Sequence, residues 1–172
     1  MEARSSTIRL YLEETGDRLT VRLEDNGVGM DAETVRRAQD PFYTDGVKHP
    51  GRAVGLGIPF LRQLADATGG RFSLESAPGV GTTVELVVPR EHLDLPPTGD
   101  LPTVLQQALC YAGDYEMVIQ RRRDTAGYQV SRRELVEVLG DLETVGSQAL
   151  LREYIAAQEE SLDDTEAETW QR

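Results

Sequence analysis

With 172 residues and 39% hydrophobic side chains, the chain has apolar material for one average domain or two small ones, and it is not a disordered tail. Its formal net charge of -12 argues against a general nucleic-acid binder, which neutralises phosphates with a basic surface. Cys110 stands alone and cannot close an internal disulfide, no Cys/His set suggests a metal, and no apolar leader or membrane-length run is read, so the expectation is a cytoplasmic protein with no membrane partner.

In chain order, residues 7 to 24 alternate apolar and polar side chains, with Ile8, Leu10 and Leu12 in one run and Leu19, Val21 and Leu23 in the next. Two half-buried strands joined by the turn "EETGD" make an antiparallel hairpin. The stretch "EDNGVGMD", Glu24 to Asp31, then sets an acid before two glycines spaced by one residue, with a helix expected just beyond. Taken alone, Asp-Asn-Gly is ordinary turn chemistry. Ile58, Leu61, Leu64, Ala65 and Thr68 recur at helical spacing, and Gly69-Gly70 supplies a left-handed stop. "RFSLES", the turn "PGVG" and "TTVELVVP" form a second hairpin ended by Pro89. Interleaved strands and helices with hairpin-length links predict an α+β fold, a mixed, mainly antiparallel sheet with helices on one face.

Residues 95 to 102, "LPPTGDLP", mark a boundary. The division expected is a first domain over 1–94, a linker over 95–102, a small α+β unit over 103–162 and an acidic, frayed tail over 163–172. Within the second unit the pattern predicts a helix near 103 to 112, strands at "YEMVIQRRR" and "GYQVS" around "DTAG", a helix opened by a capping box from Ser131 to Glu134 and closed by Gly140, and a last helix over about 147 to 160. Arg121 to Arg123 admit two readings, a dock for an acidic partner or a strand end flanking a turn.

Asp25, "DPFYTDG" at 40 to 46, "GLGIPFLRQLADATGG" at 55 to 70 and "SAPGVGTTVELVVP" at 76 to 89 follow one another in a specific order. Over residues 2 to 90 this set resembles the ATP-binding domain shared by gyrase, heat-shock chaperones, histidine kinases and MutL, the GHKL superfamily, in its histidine-kinase version. The resemblance implies a two-layer Bergerat-type fold and ATP as ligand. Asp25 would then accept the exocyclic amino group of adenine, since an ionised carboxylate can only accept where guanine offers a carbonyl. Gly27 and Gly29 would let the backbone lie against the purine. Gly55, Leu56 and Gly57 match the second glycine box, whose helix N-terminal amides would cradle phosphates. Phe42 would anchor a lid over 43 to 54. Within it, Lys48 or Arg52 would neutralise phosphate charge or simply stand in solvent, while His49 and His92 are read as ordinary surface residues rather than as a phosphoacceptor or ligand. Thr82 would reach adenine or its bridging water, the competing explanation being a β-branched strand residue.

The family also carries a helix ahead of the first strand with an Asn that holds Mg²⁺ and a Glu that serves as general base; neither motif residue occurs in this sequence. "MEARSSTIRLYL" resembles the tail of that segment, so the expectation is a sequence that begins inside the domain, with Mg²⁺ expected only when the helix is present and this chain alone nearly inactive in hydrolysis or phosphotransfer. Apolar surface left uncovered by the helix would favour a homodimer. The whole chain also resembles stand-alone histidine-kinase-like ATPases of bacterial iron-hydrogenase operons. Two functional readings stand: an ATP-binding module with ATPase or phosphotransfer chemistry, and a non-catalytic scaffold with a vestigial nucleotide site that works through a protein partner.

Overall fold

The alternation at residues 7 to 24 becomes β1 (Thr7–Thr15) and β2 (Arg18–Asp25), paired antiparallel with Leu10 opposite Leu23 and Leu12 opposite Val21. The computed structural model describes residues 4–40 and 56–169. After β2 come α1 (Ala32–Ala38), α2 (Gly57–Thr68), β3 (Arg71–Ala77), β4 (Gly81–Pro89), α3 (Leu101–Leu109), β5 (Glu116–Arg123), β6 (Ala126–Ser131), α4 (Arg132–Leu139) and α5 (Val145–Thr169). The strands form one six-stranded sheet in the order β3-β4-β2-β1-β5-β6, antiparallel throughout except where β5 runs parallel to β1. This is the mixed, mainly antiparallel α+β architecture the sequence predicts.

The residues read as a separate C-terminal unit extend the same sheet, with Leu10 of β1 opposite Ile119 of β5. The stretch 95–102 carries the chain from β4 into α3. That helix begins earlier than the apolar spacing suggested because Asp100 caps it, accepting from the Thr103 amide at 3.1 Å and from its hydroxyl at 2.7 Å, and Pro102 is tolerated in a first turn. Ser131 caps α4 by accepting from the Glu134 amide at 3.3 Å, and Gly140 closes it at φ 73°. α5 runs on to Thr169, through residues the sequence reading left as a frayed acidic tail.

Because side chains alternate along a strand, these registers put Leu12, Val21 and Leu86 on one face together with Leu10 and Ile119. Two apolar clusters cover that face. α2 closes Ala65, Leu86 and Val88 with Leu19, Val21 and Phe72 around them. α3 and α5 close Leu105, Leu109, Ile119, Val130, Leu151 and Ile155, with Ile8 and Leu10 from β1 packed against them.

At the far end of the same face, the guanidinium of Arg121 is fully enclosed. Its Nε lies 3.2 Å from both carboxylate oxygens of Glu159, its Nη1 donates to the Arg122 carbonyl at 2.9 Å, and its Nη2 binds Glu14. Glu14 also receives Arg90 at 2.9 Å and Arg123 at 3.5 Å, and the Tyr128 hydroxyl donates to Glu159 at 2.6 Å. Burial, and then the adjacent Glu159 carboxylate, push the Tyr128 hydroxyl well above the usual phenol range. Arg121 is therefore an internal tie between β1, β5 and α5; Arg121 to Arg123 do end a strand at a turn, one of the two sequence readings, and the side chain of Arg121 points inward. Removing one member of such a cluster leaves a buried charge uncompensated. Arg121→Ala is expected to lower the unfolding free energy by about 3 to 5 kcal/mol in urea titrations, whereas Arg122→Ala, at an exposed pair with Glu13, should change it by less than about 1 kcal/mol.

Candidate functional site

β2 ends on Asp25, which lies opposite Ile8 of β1 and Thr82 of β4. It follows Leu19, Val21 and Leu23 at two-residue intervals, so its carboxylate continues their row on the helix-bearing side of the sheet. Oδ1 accepts from the Gly27 amide at 2.7 Å and from the Ser5 hydroxyl at 3.0 Å. Both bonds fall on one oxygen; among the described residues Oδ2 has no donor. The neighbouring Asn26 turns outward and joins the start of β1, its Oδ1 accepting from the amides of Ser6 at 3.0 Å and Thr7 at 2.9 Å. Its Nδ2 donates to the Ser6 hydroxyl at 2.9 Å.

The loop after Asp25 lies directly on the β3–β4 turn. Gly29 has φ 65°, and a Cβ there would stand 1.9 Å from the carbonyl oxygen of Ala77. Gly81 has φ 123°, and a Cβ there would stand 2.0 Å from the carbonyl oxygen of Asp25. No side chain fits at either point, so two bare backbones meet. Ser76 fastens them: its hydroxyl accepts from the Met30 amide at 2.8 Å, donates to the Gly81 carbonyl at 2.8 Å and lies 3.0 Å from the Thr82 hydroxyl. The Gly79 amide adds a bond to the Val28 carbonyl at 2.8 Å. Asp31 then caps α1, accepting from the Thr34 amide at 2.7 Å; that amide and the Thr34 hydroxyl hold its carboxyl below the usual range.

α2 leaves its C-terminus at the start of β3 and packs along β3 and β4, so over its length of roughly 18 Å it returns its N-terminus toward the Gly81 end of the sheet. Contact between Arg62 and Gln39, at 3.5 Å, ties this first part of α2 to the end of α1. Leu56 occupies the N-cap and provides no side-chain acceptor. Unlike at Gly29, a Cβ at Gly57 would meet nothing within 4 Å. Among the described residues no group of three His, Cys, Asp or Glu side chains is placed to hold a metal ion, and none is assigned to a nucleotide's metal counter-ion.

Of the residues singled out in the sequence, Asp25, Gly27, Gly29 and Thr82 come together at one end of the sheet, and Leu56 and Gly57 open α2. Phe42, Lys48 and Gly55 lie outside the described residues. The steric demand at Gly29 comes from the chain's own Ala77. Sequence reasoning gave no role to Ser5, Asn26, Ser76 or Gly81. Ser76 and Gly81 lay inside a stretch already singled out, where a hydroxyl and a glycine flanking a turn were the available signal. Ser5 has no local signal at all, because its partner is 20 residues away.

A carboxylate thus stands beside two glycine-bearing loops, and α2 begins without a side-chain cap. Residues 1–92 match the family model described as "Histidine kinase-, DNA gyrase B-, and HSP90-like ATPase". The chain belongs to that family and is an ATP-binding module of histidine-kinase type. Sensor histidine kinase RcsC of Salmonella typhimurium is 36% identical over 84 residues, which are 48% of this chain and 9% of RcsC. The CAI-1 autoinducer sensor kinase/phosphatase CqsS of Vibrio cholerae is 29% identical over 122 residues, 70% of this chain and 17% of CqsS. The chain thus spans a small part of the length of these relatives. The catalytic domain of histidine kinase ThkA aligns with a TM-score of 0.38 at 23% identity, covering 48% of this chain and 52% of that one.

The two glycines separate fold from ligand. Gly29→Ala is expected to lower the unfolding free energy by about 1 to 3 kcal/mol, because backbone must move to admit the methyl. Gly57→Ala should leave it within about 0.5 kcal/mol of the parent. Paired denaturant titrations check both.

Proposed function

We propose that this chain holds the adenine ring of ATP at the end of β2, with Asp25 accepting the exocyclic amino group. The observation that carries the reading is the division of labour on that carboxylate: Oδ1 is held by Gly27 and Ser5, while Oδ2 has no donor among the described residues. A carboxylate fixed at one oxygen is pre-oriented at the other, which favours an amino donor over a carbonyl. Thr82, directly across the sheet and 3.0 Å from Ser76, adds a hydroxyl on the same side. Gly27 is buried against this carboxylate and leaves room for the purine, and the start of α2 at Leu56 and Gly57 faces the phosphates with its amides. Gly55, Phe42 and Lys48 belong to the same proposal as the remainder of the phosphate box, the base of the lid and a cation over it.

No helix among the described residues is long and apolar enough to cross a membrane, and Cys110 is a free, buried thiol, which supports a cytoplasmic setting.

Asp25→Asn keeps an oxygen for Gly27 and Ser5 but turns an NH₂ toward the adenine amino group, so donor meets donor. Affinity for ATP should fall by about 1.5 to 3 kcal/mol, roughly 10- to 150-fold, with GTP binding unchanged or improved. Calorimetric titration of both nucleotides reads this directly, and equal ATP affinity in parent and variant would remove Asp25 from the site.

A further inference from the structure

A second surface lies beyond residues 1–92, between α4 and α5 beside the edge strand β6. There a groove of about 320 Å³ is lined by Val130, Leu135, Val138, Leu150 and Tyr154. Val138 is 81% exposed, Leu150 57% and Tyr154 44%. Singly exposed apolar residues are commonplace, but a contiguous strip along two helices marks a surface that is covered by something. α4 has no fully buried residue, so its apolar side chains are shared between the core beneath and this groove.

The charges around the groove have one sign. On α4, Glu134 and Glu137 flank Val138; on α5, Glu153 and Glu160 stand outward of Leu150 and Tyr154 at helical spacing. All four are exposed, and among the described residues none has a cationic partner. The three arginines of these helices are engaged elsewhere, Arg132 with the carbonyls of Leu109 and Tyr115, Arg133 with Glu116 at 3.5 Å and Arg152 with Asp100 at 3.2 Å. An apolar strip between two acidic rims fits a helix whose apolar stripe is bordered by lysine or arginine. A second copy of this chain would bring the same four carboxylates and a formal charge of -12 against them. The acidic C-terminal residues Asp163, Asp164, Glu166 and Glu168 have the same wrong sign.

We infer that the α4–α5 groove is the docking site for a basic amphipathic helix of a partner protein. The test uses the full chain and three fluorescein-labelled peptides of about 18 residues, read by fluorescence anisotropy. One carries leucine at i, i+3, i+4 and i+7 among lysine and arginine; another has the basic residues replaced by glutamate; the third is a scramble of the basic peptide without an apolar face. Saturable binding of the basic amphipathic peptide alone is expected. It should weaken at least about tenfold in Val138→Glu and in the double variant Glu137→Lys, Glu153→Lys, with unfolding midpoints unchanged at these exposed positions. Absence of saturable binding, equal binding of the scramble, or indifference to both variants overturns the proposal. So does sedimentation showing a dimer of the parent chain that Val138→Glu converts to monomer, since a second copy would then cover the groove.

Discussion

The close approach of two bare backbones at one end of the sheet decides where everything else in the candidate site can stand. Gly29 meets the Ala77 carbonyl, and Gly81 meets the Asp25 carbonyl, at distances that exclude any Cβ. Ser76 bridges the contact with three polar partners, so the approach is both sterically required and hydrogen-bonded. Its consequence is positional. Asp25 is the last residue of β2 and Thr82 is its cross-strand partner, so closing the loops beyond them fixes a carboxylate and a hydroxyl side by side on the helix-bearing face. A site assembled from backbone in this way needs little reorganisation when a planar ligand arrives.

Much of this was legible in the sequence because it is local. Strands with period-two alternation, a helix with its glycine stop and two hairpins with turn residues declare themselves within a dozen residues. The nearness of Asp25 to Gly27 and Gly29 is local too, since they lie within five residues of one another at the end of β2. What escaped depends on distance along the chain. The parallel pairing of β1 with β5 brings together strands more than 100 residues apart, and nothing in either strand names its partner, so the C-terminal residues read as a separate unit. Ser5 was hidden likewise, since a serine ahead of a strand has no signature for a carboxylate 20 residues on. Arg121 was hidden by composition: three consecutive arginines suggest a surface, whereas the pleat sends the first into the core toward Glu14 and Glu159 and the second outward.

Charge divides the molecule into three settings. At the far end of the sheet, acidic and basic side chains neutralise one another in a buried cluster where any one deletion is costly. At the near end a carboxylate is held by neutral donors and keeps an open acceptor. On α4 and α5, carboxylates without cationic partners among the described residues border apolar side chains that solvent reaches. Four exposed carboxylates of the net charge of -12 thus stand on α4 and α5, while α2, beside the candidate site, begins without an acidic residue in its first turn.

The central claim, that the end of β2 and the β3–β4 turn together form the adenine pocket, is tested most directly by amide chemical-shift mapping of the labelled chain during titration with ADP and, separately, GDP. The account predicts saturable shifts with ADP at Gly27, Gly29, Met30, Gly81 and Thr82, and weaker or absent shifts at the same amides with GDP. Shifts that avoid those five amides, or that are the same for both nucleotides, would contradict it.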